Sequence, residues 1–328
     1  MGSASSSQAQ NESRSVKTVY GTVVGRRFVF GSKEVSALRA MHVDAFQGIP
    51  FAKPPVGDLR FKAFGPRGIQ KDALFERCKH GRKSEDNLYL NVFSPAWDPG
   101  NSTRFAVLVF IHGGGFISDS CVKYGDERIC EHLCTKDVVV VTTQYRLGYL
   151  GFFSTGDEHC PGNFALWDQT LALKWVQENI AFFNGDPRNV TVMGQSAGGA
   201  SVDLLSICPH SRDLFQRVIP MAGNASCEWS THNNMVEVCR KFAESIGISE
   251  THHSLNLLGD LFTNIGVQKT VLETLEAHEV PVFFYSFDYF NPKSWGPLGF
   301  RMPFKAATHC TELAYIFWPR YHLELQHQ

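Results

Sequence analysis

Gly194-Gln195-Ser196-Ala197-Gly198 decides how this chain is read. A strand-like run, Val190-Thr191-Val192-Met193, leads in, and a helix-compatible run over 200–207 leads out. A serine on a strand-to-helix turn is held in strained backbone geometry that lifts its hydroxyl clear of the sheet. Glycines two residues to either side let neighbouring segments close around it. The five-residue pattern also occurs in ordinary loops, so the strand-turn-helix context is what marks Ser196 as a candidate nucleophile.

Upstream, His112-Gly113-Gly114-Gly115-Phe116 directly follows the apolar run Phe105-Ala106-Val107-Leu108-Val109-Phe110-Ile111. Glycines there let backbone N–H groups turn toward a bound oxygen. Such a loop can stabilise the charge that develops when a serine attacks a carbonyl, each donor being worth about 10²–10³ in rate. The competing readings are a glycine-rich turn after a buried strand and a phosphate cradle. A phosphate cradle of the common type wants a Lys-Ser or Lys-Thr pair after the glycines, and none follows here.

At 328 residues, with 43% hydrophobic and 12% aromatic content, the chain can bury one large core. A formal net charge of -1 leaves no basic footprint for nucleic acid. No apolar run approaches the ~18 residues that a membrane helix needs. The first fifteen residues, rich in Ser, Gln and Asn, lack the apolar core of a secretory signal, so the expected location is the cytoplasm. Met1-Gly2-Ser3-Ala4-Ser5-Ser6 fits the N-myristoylation pattern, which would bring the polar tail to a membrane surface through Gly2; an ordinary polar tail is the alternative.

Nine cysteines without regular spacing do not form a disulfide framework. Cys130-Glu131-His132-Leu133-Cys134 could offer a metal at most three ligands from one helical turn, and no second cluster follows. A packed helix before a strand at 138–143 is the better reading, and neither metal nor cofactor is expected. Asn-x-Ser/Thr sequons stand at Asn11, Asn101, Asn189 and Asn224 and would matter only on the secretory route.

Along the chain, 17–30 alternates like a hairpin, with Gly21 and Gly25 as turn candidates. Apolar strand candidates recur at 105–111, 138–144, 190–193, 217–221 and 280–286. Between two of them, 164–183 sets Leu166, Thr170, Leu173 and Val176 at helical spacing, and Asn184-Gly185-Asp186-Pro187 stops the helix. Continuous apolar strands separated by helices indicate an α/β fold, with a mostly parallel central sheet covered by helices on both faces. The expected organisation is a disordered polar tail, 1–15, and a single domain, 16–328.

The chain resembles the type-B carboxylesterases, a family that includes cholinesterases and neuroligins and has the α/β-hydrolase fold. The resemblance is carried by Phe46-Gln47-Gly48-Ile49-Pro50-Phe51-Ala52 with Pro54-Pro55-Val56-Gly57, by Ser84-Glu85-Asp86-Asn87-Leu88-Tyr89-Leu90-Asn91, and by the glycine loop. Gln144-Tyr145-Arg146-Leu147-Gly148, the stretch from Gly162-Asn163 to Asp168-Gln169, and the Ser196 turn complete it. A shorter match returns at His309-Cys310-Thr311-Glu312-Leu313. The resemblance implies a small-molecule carboxylic ester as substrate and Ser196 as nucleophile. It implies His309 as general base and acid, Gly114, Gly115 and Ala197 as oxyanion donors, and Trp229 as a wall of the acyl pocket.

The departures from the family narrow the expectation. Family members carry lid helices and another core strand where this chain runs from Ile248 to Val280, and that strand ends in the loop bearing the triad acid. The fold is therefore expected to be incomplete relative to the family, its later C-terminal helices included. The acid is expected to be missing, with Glu228 and Asp288 as replacement candidates. The loop at 78–82 is short and lacks the choline-binding tryptophan of cholinesterase-like members, and Gln195 stands where many members have glutamate. A general carboxylic ester is thus a better expectation than a cationic one. The alternative function is a catalytically impaired relative that binds a ligand or protein partner.

Overall fold

The structure, a computed structural model, describes residues 13–31, 40–56, 59, 86–100 and 104–245. Gly2, Asp288, His309 and the strand expected at 280–286 lie outside the described residues.

Near the start, β1 (Val16–Thr18) and β2 (Gly21–Val23) form a small antiparallel hairpin around Val19 and Tyr20. The hairpin expected over 17–30 therefore closes earlier. Gly21 opens β2, and Gly25 separates β2 from β3 (Arg26–Phe30), which joins the main sheet instead. That sheet goes on with β4 (Met41–Pro50), β5 (Tyr89–Pro95), β6 (Phe105–Ile111), β7 (Val138–Thr143), β8 (Gly185–Gln195) and β9 (Arg217–Met221). Its seven strands run in the order β3-β4-β5-β7-β6-β8-β9. The pairs from β7 through β6 and β8 to β9 are parallel, and those from β3 to β7 through β4 and β5 are antiparallel. All four strands expected at 105–144 and 190–221 lie in the parallel half.

Alternation along those strands feeds two cores. Val107, Val109, Val139, Val141, Val190 and Val192 face one side, with Trp175, Val176, Val202 and Leu205 packed over them. Phe110, Val140 and Met193 face the other side, with Tyr124, Ile129, Cys130 and Cys134. Burial on both faces is why these strands read as unbroken apolar runs. The first layer is supplied by α3 (Phe164–Asn179) and α4 (Ala197–Ile207), and the second by α1 (Glu127–His132), which precedes β7 as expected. Two further helices, α2 (Gly148–Phe152) and α5 (Met235–Ser245), meet through Tyr149 stacked on Phe242.

The helix expected over 164–183 ends at Asn179, and a 3₁₀ turn carries it to Phe183 before the left-handed Asn184. It is buried on almost every side from Asp168 to Ile180, with Lys174 and Glu178 exposed, and Leu166 is half-buried. A polar stripe is sunk into this helix because Asp168 and Gln169 are both fully buried. No helix among the described residues is long and apolar enough to cross a membrane.

Candidate active site

The register brings separate loops to one end of the sheet. Ile111 at the end of β6 pairs with Thr143 of β7 on one side and Gly194 of β8 on the other, while Gln195 pairs with Met221 at the end of β9. The chain thus leaves four adjacent parallel strands at their carboxyl ends, where open α/β sheets place their ligands.

Ser196 stands between β8 and α4 with φ 57° and ψ -123°. A residue with a Cβ rarely adopts this conformation, which costs on the order of 1–3 kcal/mol and persists where the surroundings impose it. Here the surroundings are backbone. The Ser196 N–H donates to Met221 O at 2.8 Å, and its carbonyl accepts from Ala200 N–H at 3.0 Å. A Cβ on Gly198 would lie 2.1 Å from Ile111 O, and one on Gly194 would lie 2.3 Å from Gly198 O. Both glycines are therefore places where the turn crosses other backbone. Gly198→Ala is expected to force α4 away from β6 at a cost of about 1–3 kcal/mol, seen as a lower urea midpoint. An unchanged midpoint would refute the crossing.

The glycine loop runs directly against this turn, since a Cβ on Gly113 would lie 3.1 Å from the Ser196 Cβ. Gly114 and Gly115 both have positive φ, 98° and 62°. Ala197, fully buried, opens α4, so its N–H is among those a helix leaves without an intrahelical acceptor. The structure therefore brings Ser196, followed by Ala197, against Gly113, the residue that leads into Gly114 and Gly115.

Behind the loop, His112 is buried, and its Nδ1 lies 2.9 Å from Gly113 O. A carbonyl only accepts, so Nδ1 carries the proton. Burial pushes this imidazole below its usual pKa range, which keeps it neutral. Tyr145 stacks on it at 4.5 Å and donates to His112 O at 2.7 Å. Gly148 N–H donates to Phe116 O at 2.7 Å, so the segment 144–148 grips the glycine loop at both ends. Arg146 fastens that segment with Nε and Nη2 on the Asp168 carboxylate at 2.7 and 2.6 Å, both side chains being fully buried. Burial pushes the Asp168 carboxyl up, and the guanidinium's bonds and charge pull against it.

Aromatic rings cluster beside the turn. Trp229 lies on the 3₁₀ turn Glu228–Ser230, with its ring 6.2 Å from that of Phe116, which meets Phe152 edge-on at 5.1 Å. Trp229 also closes on the turn, because a Cβ on Gly223 would touch both Ser196 O and the indole. Phe116 is the ring that closes the glycine-loop motif, whereas Phe152, at the end of α2, has no local signal in the sequence. Ile117 is 68% exposed beside them. Glu228 is exposed on the same turn, and its relation to His309 and Asp288 lies outside the described residues. Gln195 is buried, with its Oε1 against Gly113, beneath the loop.

Two other sequence features take structural places. The Cys130 and Cys134 thiols are buried in the second core, and among the described residues no group of three His, Cys, Asp or Glu side chains could hold a metal. The sequon residue Asn224 is buried, with its side-chain oxygen accepting from Ser226 N–H at 3.1 Å.

The model of the carboxylesterase family matches residues 12–255 and 249–326. Among curated proteins, the chain is 47% identical to esterase cest-33 of Caenorhabditis elegans over 63% of this chain and 41% of that protein. It is 45% identical to the juvenile hormone esterase of Tribolium castaneum over 68% and 38% respectively, and 40% identical to liver carboxylesterase 1 of Oryctolagus cuniculus over 72% and 44%. Among solved structures, a PNB esterase superposes with a TM-score of 0.59 at 36% identity, over 71% of this chain and 48% of that one. The chain spans about two fifths of the length of these curated relatives.

Proposed function

The chain belongs to the carboxylesterase family and has its α/β-hydrolase fold, and on that footing we propose that it hydrolyses carboxylic esters through an acyl-enzyme on Ser196. One observation carries the reading: Ser196 sits at φ 57° on a turn crossed by backbone, with the glycine loop against its side chain.

In this reading the Ser196 Oγ attacks the ester carbonyl carbon, and His309 takes the hydroxyl proton. The N–H groups of Gly114, Gly115 and Ala197 receive the oxyanion. When the tetrahedral intermediate collapses, the C–O bond to the alcohol breaks and His309 returns the proton to it. Water then attacks the acyl-enzyme with the same base, releasing the acid and restoring Ser196. Phe116, Phe152 and Trp229 offer an apolar wall for the acyl or alcohol group, which fits a neutral ester.

The third triad member sets how much turnover to expect. A histidine deprived of its carboxylate loses tautomer control and imidazolium stabilisation, at a cost of about 10⁴ in turnover. Glu228 and Asp288 are the candidates to replace it, and Glu228, being exposed, would lose much of its effect to solvent screening. Turnover below that of a full triad is therefore part of the proposal, as is one domain over 16–328, which the family match across 12–326 supports.

A fluorophosphonate probe tests it. The folded chain is expected to form one covalent adduct, with fluoride displaced from phosphorus by the Ser196 Oγ, and peptide mass spectrometry is expected to find it on Ser196. Folded protein that stays unlabelled, or is labelled elsewhere, refutes the esterase reading. A thermal shift with an ester that is bound but not turned over would favour a binding module instead.

A further inference from the structure

The glycine loop is held by its carbonyl groups. In a planar trans peptide the C=O and the following N–H point to opposite sides, so fixing one aims the other. Gly113 O accepts from His112 Nδ1 at 2.9 Å, and this sets the direction of Gly114 N–H. His112 is itself held by the Tyr145 hydroxyl on its carbonyl at 2.7 Å and by the Tyr145 ring on its imidazole. Gly114 O accepts from Ile117 N–H at 3.1 Å, from Ser118 N–H at 3.0 Å and from Ser118 Oγ at 3.0 Å, and this sets Gly115 N–H.

Ser118 is exposed, and its hydroxyl bond stays within its own turn. Its use is thus local to the loop. Tyr145 lies more than thirty residues away along the chain and reaches the loop from the end of the neighbouring strand β7.

We propose that Ser118 and Tyr145 are positioning residues of the esterase: the Ser118 hydroxyl holds the Gly114–Gly115 plane directly, and the Tyr145 hydroxyl, 2.7 Å from His112 O and 3.5 Å from Gly113 O, holds His112 on the Gly113–Gly114 plane. The inference rests on the proposed function. An oxyanion donor is worth about 10²–10³ in rate when correctly aimed, and small misplacements forfeit part of that. Both hydroxyls are bonded to loop carbonyls, so their loss should slow the chemical step and spare binding.

The test compares the full chain with Ser118→Ala, Ser118→Thr and Tyr145→Phe, reading inactivation rate and probe affinity separately with the fluorophosphonate. Ser118→Ala is expected to lower the maximal inactivation rate about tenfold, with probe affinity and thermal midpoint unmoved, and Ser118→Thr to restore most of the rate. Tyr145→Phe, which keeps the ring stack, is expected to lower the rate by a similar factor. A wild-type chain that labels while Ser118→Ala labels equally fast overturns the positioning role alone. So does a loss confined to probe affinity, or a Ser118→Thr variant no better than Ser118→Ala. A wild-type chain that is folded yet unlabelled overturns the esterase reading, and this inference falls with it.

Discussion

Ser196→Ala is expected to bring turnover of an activated ester down to the background rate and to remove the fluorophosphonate adduct. Where a full triad operates, losing the nucleophile costs on the order of 10⁶ in turnover, and what survives comes from the oxyanion donors and binding. The substitution is also a probe of strain. Alanine at φ 57° meets the same steric cost as serine, so the thermal midpoint should move little while the chemistry disappears. Loss of activity with an unchanged midpoint therefore assigns chemistry to the hydroxyl. Loss of both would assign Ser196 to the fold, and a variant that still turns over ester would move the nucleophile elsewhere. The starting rate carries information too. If the wild-type chain labels at one equivalent but releases product slowly, attack at Ser196 outpaces deacylation, the behaviour expected of a triad short of its acid.

The legible part of this molecule was the part where sequence pattern and backbone contact coincide. Gly194 and Gly198 stand out in the sequence because the turn crosses itself and the end of β6 at those residues. The parallel strands stand out because both of their faces are buried, which leaves no polar positions to interrupt the run. Of the antiparallel half, β3 falls within the alternating stretch 17–30, but β4 and β5 were not legible as strands. In β4 the register against β5 shifts between Phe46 and Ile49, where Gly48 N–H turns to Asn91 Oδ1 at 2.8 Å, and this breaks the alternation that would reveal a strand. Nor was α5 anticipated: it packs on α2 through Phe242 on Tyr149, contacts made by residues far apart in the chain. The roles of Ser118 and Tyr145 leave no periodic trace, since each is a hydroxyl on a loop carbonyl.

Asp168→Asn should destabilise the chain by about 3–5 kcal/mol, because it leaves the Arg146 guanidinium buried without its countercharge. The carboxylate receives both arms of the guanidinium and the Arg146 backbone N–H at 3.1 Å, so an amide would face donors with one oxygen instead of two. Against a typical domain stability of about 5–15 kcal/mol, this is enough to bring the transition close to working temperature. Removing both charges, with Arg146→Met and Asp168→Leu together, should cost less than the sum of the single changes, because no buried charge is left unpaired, although the backbone N–H at 146 loses its acceptor. Urea unfolding of the wild type, Arg146→Met, Asp168→Leu and the double supplies the cycle, and an Asp168→Asn midpoint, measured beside them, that matches wild type would refute the argument. The pair also anchors the segment whose Tyr145 and Gly148 grip the glycine loop at His112 and Phe116. The fraction of Asp168→Asn chains still folded should therefore label more slowly than wild type, since the loop's donors lose their backing even where the sheet survives. Stability and catalysis would then fall together at a residue buried beneath the site, in contrast to Ser196→Ala, where they separate.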